Sequence, residues 1–484
     1  MRPNMSRLLA RFALAPLVLL AAPAAFGQES PVDAAPPPAA TSPDEATAPA
    51  PADSAEPAPA LGEGAAPVGT AEADPVVAVP APTVAALAAS DSEPAPSAPT
   101  EEKKQDPEIK FKGKAGDGLT VEVGDRFSLN VKSRIQVRYQ YHLAPPNSAG
   151  TRAEDQVVNI GTLRLWFSGK VLLPELSYMI QLALADRDYR DGAKSPVYDA
   201  YLEWAAHRDL NLRVGQYFVP FDRLRTVRES ALQMADRPRP VAELTLDRDV
   251  GVMVFSDHFL GDHSPVAVRA GVFGGGGTNL SLGREPGGLF VGRLELRPLG
   301  DIDDDKEGDL ERRAKPGLAL GGAFAANVNT NRQRSTTGIT YVGGTADYLH
   351  AAADLVFKWQ GIALQAEYLW KQAAEDDIVS TAADGSTLTE YTRSGQGWVL
   401  QASYTFDPPF EVVGRLSGLY AFDGTDPAYI AEADSRGQEV AGGLNYYFNG
   451  HKMKLQADYI ARMPHDFDFS VADHTAHLQL DVTF

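Results

Sequence analysis

Thr475-Ala476-His477-Leu478-Gln479-Leu480-Asp481-Val482-Thr483-Phe484 is the stretch whose reading decides the fold. Ala476, Leu478, Leu480, Val482 and Phe484 share one parity, and Thr475, His477, Gln479, Asp481 and Thr483 share the other. Successive side chains of a strand point to opposite faces, so this alternation describes a strand set between an apolar and an aqueous medium. Trp398, Leu400, Ala402, Tyr404 and Phe406 repeat it, as do Ile362, Leu364, Ala366, Tyr368 and Trp370, with aromatic residues near the ends where membrane interfaces would lie. A soluble sandwich would use shorter strands that hide their large residues between two sheets. Here the polar faces carry strips of Arg, Lys and Gln, and we expect an all-β fold, a transmembrane antiparallel β-barrel.

About sixteen such runs are legible, near 126–141, 158–171, 177–186, 197–206, 210–219, 249–257, 266–274, 288–297, 317–328, 346–359, 361–372, 397–406, 410–422, 438–448, 451–462 and 474–484. Their connections alternate in length. Short turns at 173–175, 359–361, 407–409 and 449–451 interleave with loops at 143–157, 187–196, 220–248, 275–287, 329–345, 373–396, 423–437 and 463–473, as periplasmic turns and external loops do. The acidic connection at 300–315 falls on the short-turn side and breaks the rule; we expect it to lie away from the channel's narrowest point.

Upstream the texture differs. Arg2, Arg7 and Arg11, the apolar run from Phe12 to Phe26 and small residues before Gln28 have the layout of a signal peptide over 1–27. Pro16 and Pro23 interrupt that run, which is too short for a spanning helix. Residues 28–108 are Ala, Pro and acid with little else, which cannot bury enough surface to offset chain entropy, so a disordered linker is expected before a barrel domain at 109–484. The net charge of −20 argues against nucleic acid as a partner. It is unevenly spread: residues 1–108 hold 15 acids and 5 bases, and the remainder 49 acids and 39 bases. With no cysteine there are no disulfides, thiolate metal sites or cysteine nucleophiles.

Several segments, in order, resemble the phosphate-selective porin O and P family: GLTVEV at 118–123 with FSLNVKSRIQ at 127–136 as its opening strand, LRLWFSG at 163–169, LSYMIQL at 176–182, VYDAYLEW at 197–204, LRVGQYFVPF at 212–221 and DRDVGV at 247–252. The terminal Phe484 is similar to the ending that outer-membrane assembly machinery recognises. The resemblance implies a homotrimer of sixteen-stranded barrels in the bacterial outer membrane, exported by a cleaved signal peptide. It also implies a loop after the fifth strand folded into the lumen and basic residues that guide small anions, phosphate-like oxyanions included.

The residues themselves suggest where such guidance would lie. On the first long run Lys132, Arg134, Gln136, Arg138 and Gln140 share a face opposite Val131, Ile135, Val137, Tyr139 and Tyr141. A charged side chain facing lipid near the bilayer midplane costs about 2–4 kcal/mol, so the basic face belongs to the lumen. Arg164 and Arg213 extend it if their registers hold. The connection at 220–248 adds Arg223, Arg225, Arg228, Arg237 and Arg239. Folded inward, these could offer forked donors to an oxyanion. The alternative is that these arginines pair with lumen acids such as Glu203, Glu295 and Asp458.

Enzyme readings find less support. His258 with His263, and His474 with His477, lack the helical spacing of a zinc protease. The Gly274 to Gly277 run lacks the Lys-Ser/Thr of a phosphate loop, and the acids from Asp301 onward lack the glycine position and final Glu of a calcium loop. We expect no cofactor, metal or catalytic residue. The partners expected are outer-membrane lipid and small anionic solutes. Against the porin stands a structural or adhesive barrel whose loops matter more than its lumen.

Overall fold

The computed structural model describes residues 108–192, 195–279, 287–382, 384–407 and 410–484. The signal-peptide and linker expectations lie outside these residues. The chain opens with β1 (Ile109–Lys114) and β2 (Gly118–Val123), then β3 (Phe127–Leu143), β4 (Glu154–Val171), β5 (Leu173–Ala183), β6 (Val197–His207), β7 (Leu210–Phe218), β8 (Arg248–Ser256), β9 (Val266–Phe273) and β10 (Gly288–Leu296). It continues with β11 (Gly317–Thr330), β12 (Ala346–Trp359), β13 (Ile362–Ala373), β14 (Asp377–Thr381), β15 (Thr387–Tyr391), β16 (Gly395–Thr405), β17 (Phe410–Ala421), β18 (Gln438–Tyr447), β19 (Met453–Met463) and β20 (Asp473–Thr483).

Sixteen of these, β3 to β13 and β16 to β20, pair antiparallel with their neighbours, and β20 returns to β3 (His474 opposite Leu143, Thr483 opposite Arg134) to close the barrel. Closure removes the free edges that lipid could not satisfy, since no water is there to bond them. Apolar residues face outward: Val137, Tyr139, Leu202, Trp204, Leu400, Leu478 and Leu480 are exposed, while their lumen-facing neighbours Arg138, Asp199, Gln401 and Gln479 are buried. So broad an exposed apolar belt belongs in a bilayer.

The chain departs from the expectation before residue 127. β1 and β2 form a separate hairpin, with β2 paired to the start of β3 (Leu119 to Val131) below the point where β20 ends. The wall proper therefore begins at Phe127. The turn at 359–361 has the backbone that hairpins favour, with positive φ at Gln360 (50°) and Gly361 (91°), whose twist matches the strands. The turn expected at 173–175 is centred instead on Leu172 (φ 65°), with Leu173 already in β5.

Two long connections fold into the lumen, and the short helices α1 (Arg223–Thr226) and α2 (Arg239–Leu244) lie on the first of them, 219–247; a third helix, α3 (Pro427–Arg436), follows β17. The second is the acidic connection after β10, and here the expectation is corrected. Ile302 packs on Ala319 and Val356 of the inner wall, and Lys358 on β12 donates to the carbonyls of Asp303 (2.5 Å) and Lys306 (2.8 Å). Asp304 lies 2.6 Å from Arg223 of the first connection. An apolar anchor and a buried lysine hold this acidic segment inside the lumen, where it was expected to lie away from the channel's narrowest point.

Candidate site: the lumen constriction

The connection at 219–247 is built as a bridge across the lumen. Asp222 caps α1 by accepting from the Arg225 amide (3.0 Å), and Glu367 on β13 accepts from the amides of Arg223 and Leu224 (3.0 Å each). A carboxylate at these otherwise unpaired amides suits the helix end. Phe221, Leu224, Val241, Leu244 and Leu246 join a buried cluster with Tyr217, Phe255, Phe273, Leu369 and Val399.

On the far wall the bridge is fastened by backbone bonds. Lys454 and Gln456 on β19 donate to the Leu232 carbonyl (2.6 and 3.0 Å), Asn445 on β18 to that of Gln233 (2.9 Å) and Arg138 to that of Ala235 (2.8 Å). Asp458 accepts from the Ala235 amide (2.7 Å), and Met234 sits on Val413, Ala441 and Ile460. Lys371 on β13 donates to the Glu243 carbonyl (2.8 Å). Buried polar groups are costly unless paired, so these wall residues and the bridge require each other.

The bridge divides the lumen into two cavities. One of about 610 Å³ opens toward the periplasmic turns, touching Asp117, His451 and Lys452; the other, about 440 Å³, opens toward the external loops, touching Arg187 and Arg462. Tyr198, Glu229 and Arg237 line both, and so mark the waist. Twelve basic side chains and seven carboxylates line the first cavity, and six and three line the second, so the lumen is locally positive although the barrel region is formally acidic.

Most of the arginines named from sequence have a carboxylate in contact. Arg134 grips Asp481 with two bonds (2.7 and 2.5 Å), Arg138 meets Asp236 (2.7 Å), Arg164 meets Asp188 (2.5 Å) and Arg213 meets Glu203 (2.5 Å). Arg223 is shared among Glu295, Asp304 and Asp354, Arg225 pairs with Asp247 and Arg239 with Glu432 (2.6 Å). Pairing with Glu203 and Glu295 thus occurs as weighed, whereas Asp458 goes to His477 (2.7 Å) and the Ala235 amide. Arg237 donates to the carbonyls of Leu224 (3.0 Å), Arg225 (3.3 Å) and Val227 (2.6 Å). Burial, then the nearby Arg225, push its pKa down to about 10, which leaves it protonated at neutral pH. Among the described residues, Lys132 and Arg228 alone of the ten have no hydrogen bond or ion pair of the side chain, and both line the periplasmic cavity.

At the waist Glu229 lies 3.0 Å from Arg187, 3.4 Å from Arg134 and 3.7 Å from Arg164. Burial works to raise its pKa, but Arg187, Arg164 and Arg134 together hold it well below the usual carboxylate range. Sequence reasoning missed Arg187, Tyr198 and Arg248. Arg248 lies between the rings of Tyr198 (3.5 Å) and Phe218 (3.6 Å), and Arg213 over Tyr201 (4.6 Å). Gly215 (φ 136°) permits the second stack, since a Cβ there would come within 2.9 Å of Tyr201 Cβ and 2.1 Å of the Ala200 carbonyl. Tyr201 and Tyr217, on the polar parity of β6 and β7 with Glu203 and Arg213, were the available signal for the Arg213 stack, whereas Tyr198 and Phe218 lie on the apolar parity and gave none for Arg248.

A family model described as phosphate-selective porin O and P matches residues 129–484. No curated protein matches the sequence. Among solved structures, the outer membrane channel DcaP of Acinetobacter baumannii aligns at 14% identity and TM-score 0.45, over 74% of this chain and 97% of that one. An anion-selective porin from Comamonas acidovorans aligns at 11% and 0.45 over 74% and 99%. Salmonella typhi OmpF in complex with daunomycin aligns at 16% and 0.46 over 74% and 98%.

Proposed function

The chain belongs to the phosphate-selective porin O and P family and forms an outer-membrane channel, and from that premise we propose that the channel passes small anions in preference to cations, phosphate-like oxyanions among them. The observation that carries this reading is the excess of basic over acidic side chains in both cavities. At physiological salt the screening length is about 8 Å, so a permeating ion senses the lining and not the acids of the rim. Paired arginines contribute little net field, because each carries its carboxylate with it. The field of the periplasmic cavity then rests on Lys132 and Arg228, which no carboxylate among the described residues contacts, and at the waist Arg237 adds a charge whose hydrogen bonds go to carbonyls. The description of the family, phosphate-selective, agrees with this sign.

In the same reading the protein reaches the outer membrane through a cleaved signal peptide, its apolar belt meets lipid and three copies associate. Cross-linking of the detergent-purified protein checks the last point, with a trimer band expected. The decisive test is the double variant Lys132→Gln, Arg228→Gln in planar bilayers. One unit charge at 4 Å in water is worth about 1 kcal/mol, or about five-fold, so loss of the two charges should lower the anion-to-cation permeability ratio by at least about five-fold. An unchanged ratio would show that ion sign is set elsewhere.

A further inference from the structure

The periplasmic cavity holds more ring surface than an inorganic oxyanion can use. Trp166, Tyr198, Tyr201, Tyr217, Phe218 and Phe255 all line it. Five of these rings carry a guanidinium: Tyr198 and Phe218 take Arg248, while Tyr201, Tyr217 and Phe255 surround Arg213. Trp166 is different. It is half-buried, it faces the lumen on the parity of Arg164, and among the described residues no ring stack, cation contact or hydrogen bond engages its side chain.

Its surroundings are the two uncommitted cations. Lys132 is its direct partner across β3 and β4, a register that brings neighbouring side chains to about 5 Å. The stem of Lys132 is braced by the hairpin, because Gly118 approaches so closely that a Cβ there would lie 2.6 Å from Lys132 Cγ. Arg228, exposed on the bridge, lines the same cavity. Gln181, the partner of Trp166 on β5, adds a neutral polar group. A bare oxyanion gains nothing from an aromatic face, whose quadrupole is negative. An anion with a planar aromatic body gains from both parts, the ring on Trp166 and the charge on Lys132 and Arg228.

We propose that this periplasmic cavity is a binding subsite for aromatic carboxylates, with Trp166 as stacking platform and Lys132 and Arg228 as charge partners. The proposal rests on the lumen being the conducting path and deepens the anion reading by naming a solute class. The test uses the full-length protein in planar bilayers and records block of the chloride current by benzoate and by cyclohexanecarboxylate, which share charge and size and differ in aromaticity. Benzoate should half-block at about five-fold lower concentration, the advantage that one aromatic pair supplies. Trp166→Leu should bring the two acids together, and Trp166→Phe should keep them apart. Trp204→Leu, on the lipid face, should behave as wild type. Heat-modifiable migration of each variant establishes that the barrel has formed. Equal block by both acids in the wild type, or a benzoate advantage that survives Trp166→Leu in a folded barrel, would overturn the subsite. The zero-current potential in the same bilayers separates the two readings: a cation-selective channel that still discriminates benzoate would sink the anion preference and leave the subsite standing.

Discussion

Glu229 sits where Arg134, Arg164 and Arg187 converge, and a carboxylate so placed cancels positive charge at the narrowest part of the lumen. Glu229→Gln should therefore raise anion preference, read as a larger zero-current potential than wild type. Its pH course follows from the direction of its shift. A carboxylate held below its ordinary value of 4.5 stays ionised above that value and loses its charge only as pH falls through the lower, folded one. The difference between variant and wild type should be constant from pH 7 to pH 5 and shrink only below that. A difference that already fades near pH 6 would mean that Glu229 is not held by the arginines. Of the cations of this site the sequence displayed Arg134 and Arg164, as part of the basic face that Lys132 and Arg138 share, but not Arg187. It did not display their partners: Arg134 meets Asp481 across 347 positions, and Arg138 meets Asp236 across 98. Parity gives a residue's face; which charge neutralises which depends on closure of the barrel.

The bridge at 219–247 and the acidic segment after β10 are held by lysines of the inner wall that give their ammonium groups to backbone carbonyls: Lys358 to Asp303 and Lys306, Lys371 to Glu243, and Lys454 to Leu232. Removing such a donor leaves a buried carbonyl unpaired at a cost of about 1–3 kcal/mol. Lys454→Met with Gln456→Leu takes both donors from Leu232, so the bridge should loosen and single-channel conductance should rise and become noisier while the barrel still forms. Unchanged, quiet conductance would show that the remaining anchors suffice. Asp304→Asn is the companion test. Its carboxylate meets Arg223 at 2.6 Å and Arg297 at 3.6 Å, so neutralising it should increase anion preference, against the expectation that this connection is remote. That expectation erred because seven acids within 301–311 read as solvated chain; the opposing sign was Ile302, an apolar residue among them that finds Ala319 and Val356. The external β14–β15 hairpin and α3 were also read as loop, their segments being too short to show a period.

At the scale of the barrel the sixteen wall strands fall within a few residues of the runs read from alternation, because lipid outside and water inside impose a two-residue period on every strand. Only the hairpin at 109–123 was merged with the wall, since it alternates in the same way yet pairs below β20. The described wall strands close the barrel among themselves within 127–484, and β2 adds only to the start of β3. Deleting residues 29–107 should therefore leave a barrel that migrates faster before boiling than after it; loss of that shift would assign the deleted segment a part in folding. For the channel to prefer anions, the local charge of the lumen lining must outweigh the acidic total of the barrel region, 49 acids against 39 bases. The zero-current potential of the purified wild-type protein across a planar bilayer under a KCl gradient reads that balance most directly. The potential should have the sign that chloride sets and shrink in Lys132→Gln, Arg228→Gln; a potential of the sign that potassium sets would mean that the lining does not govern ion sign.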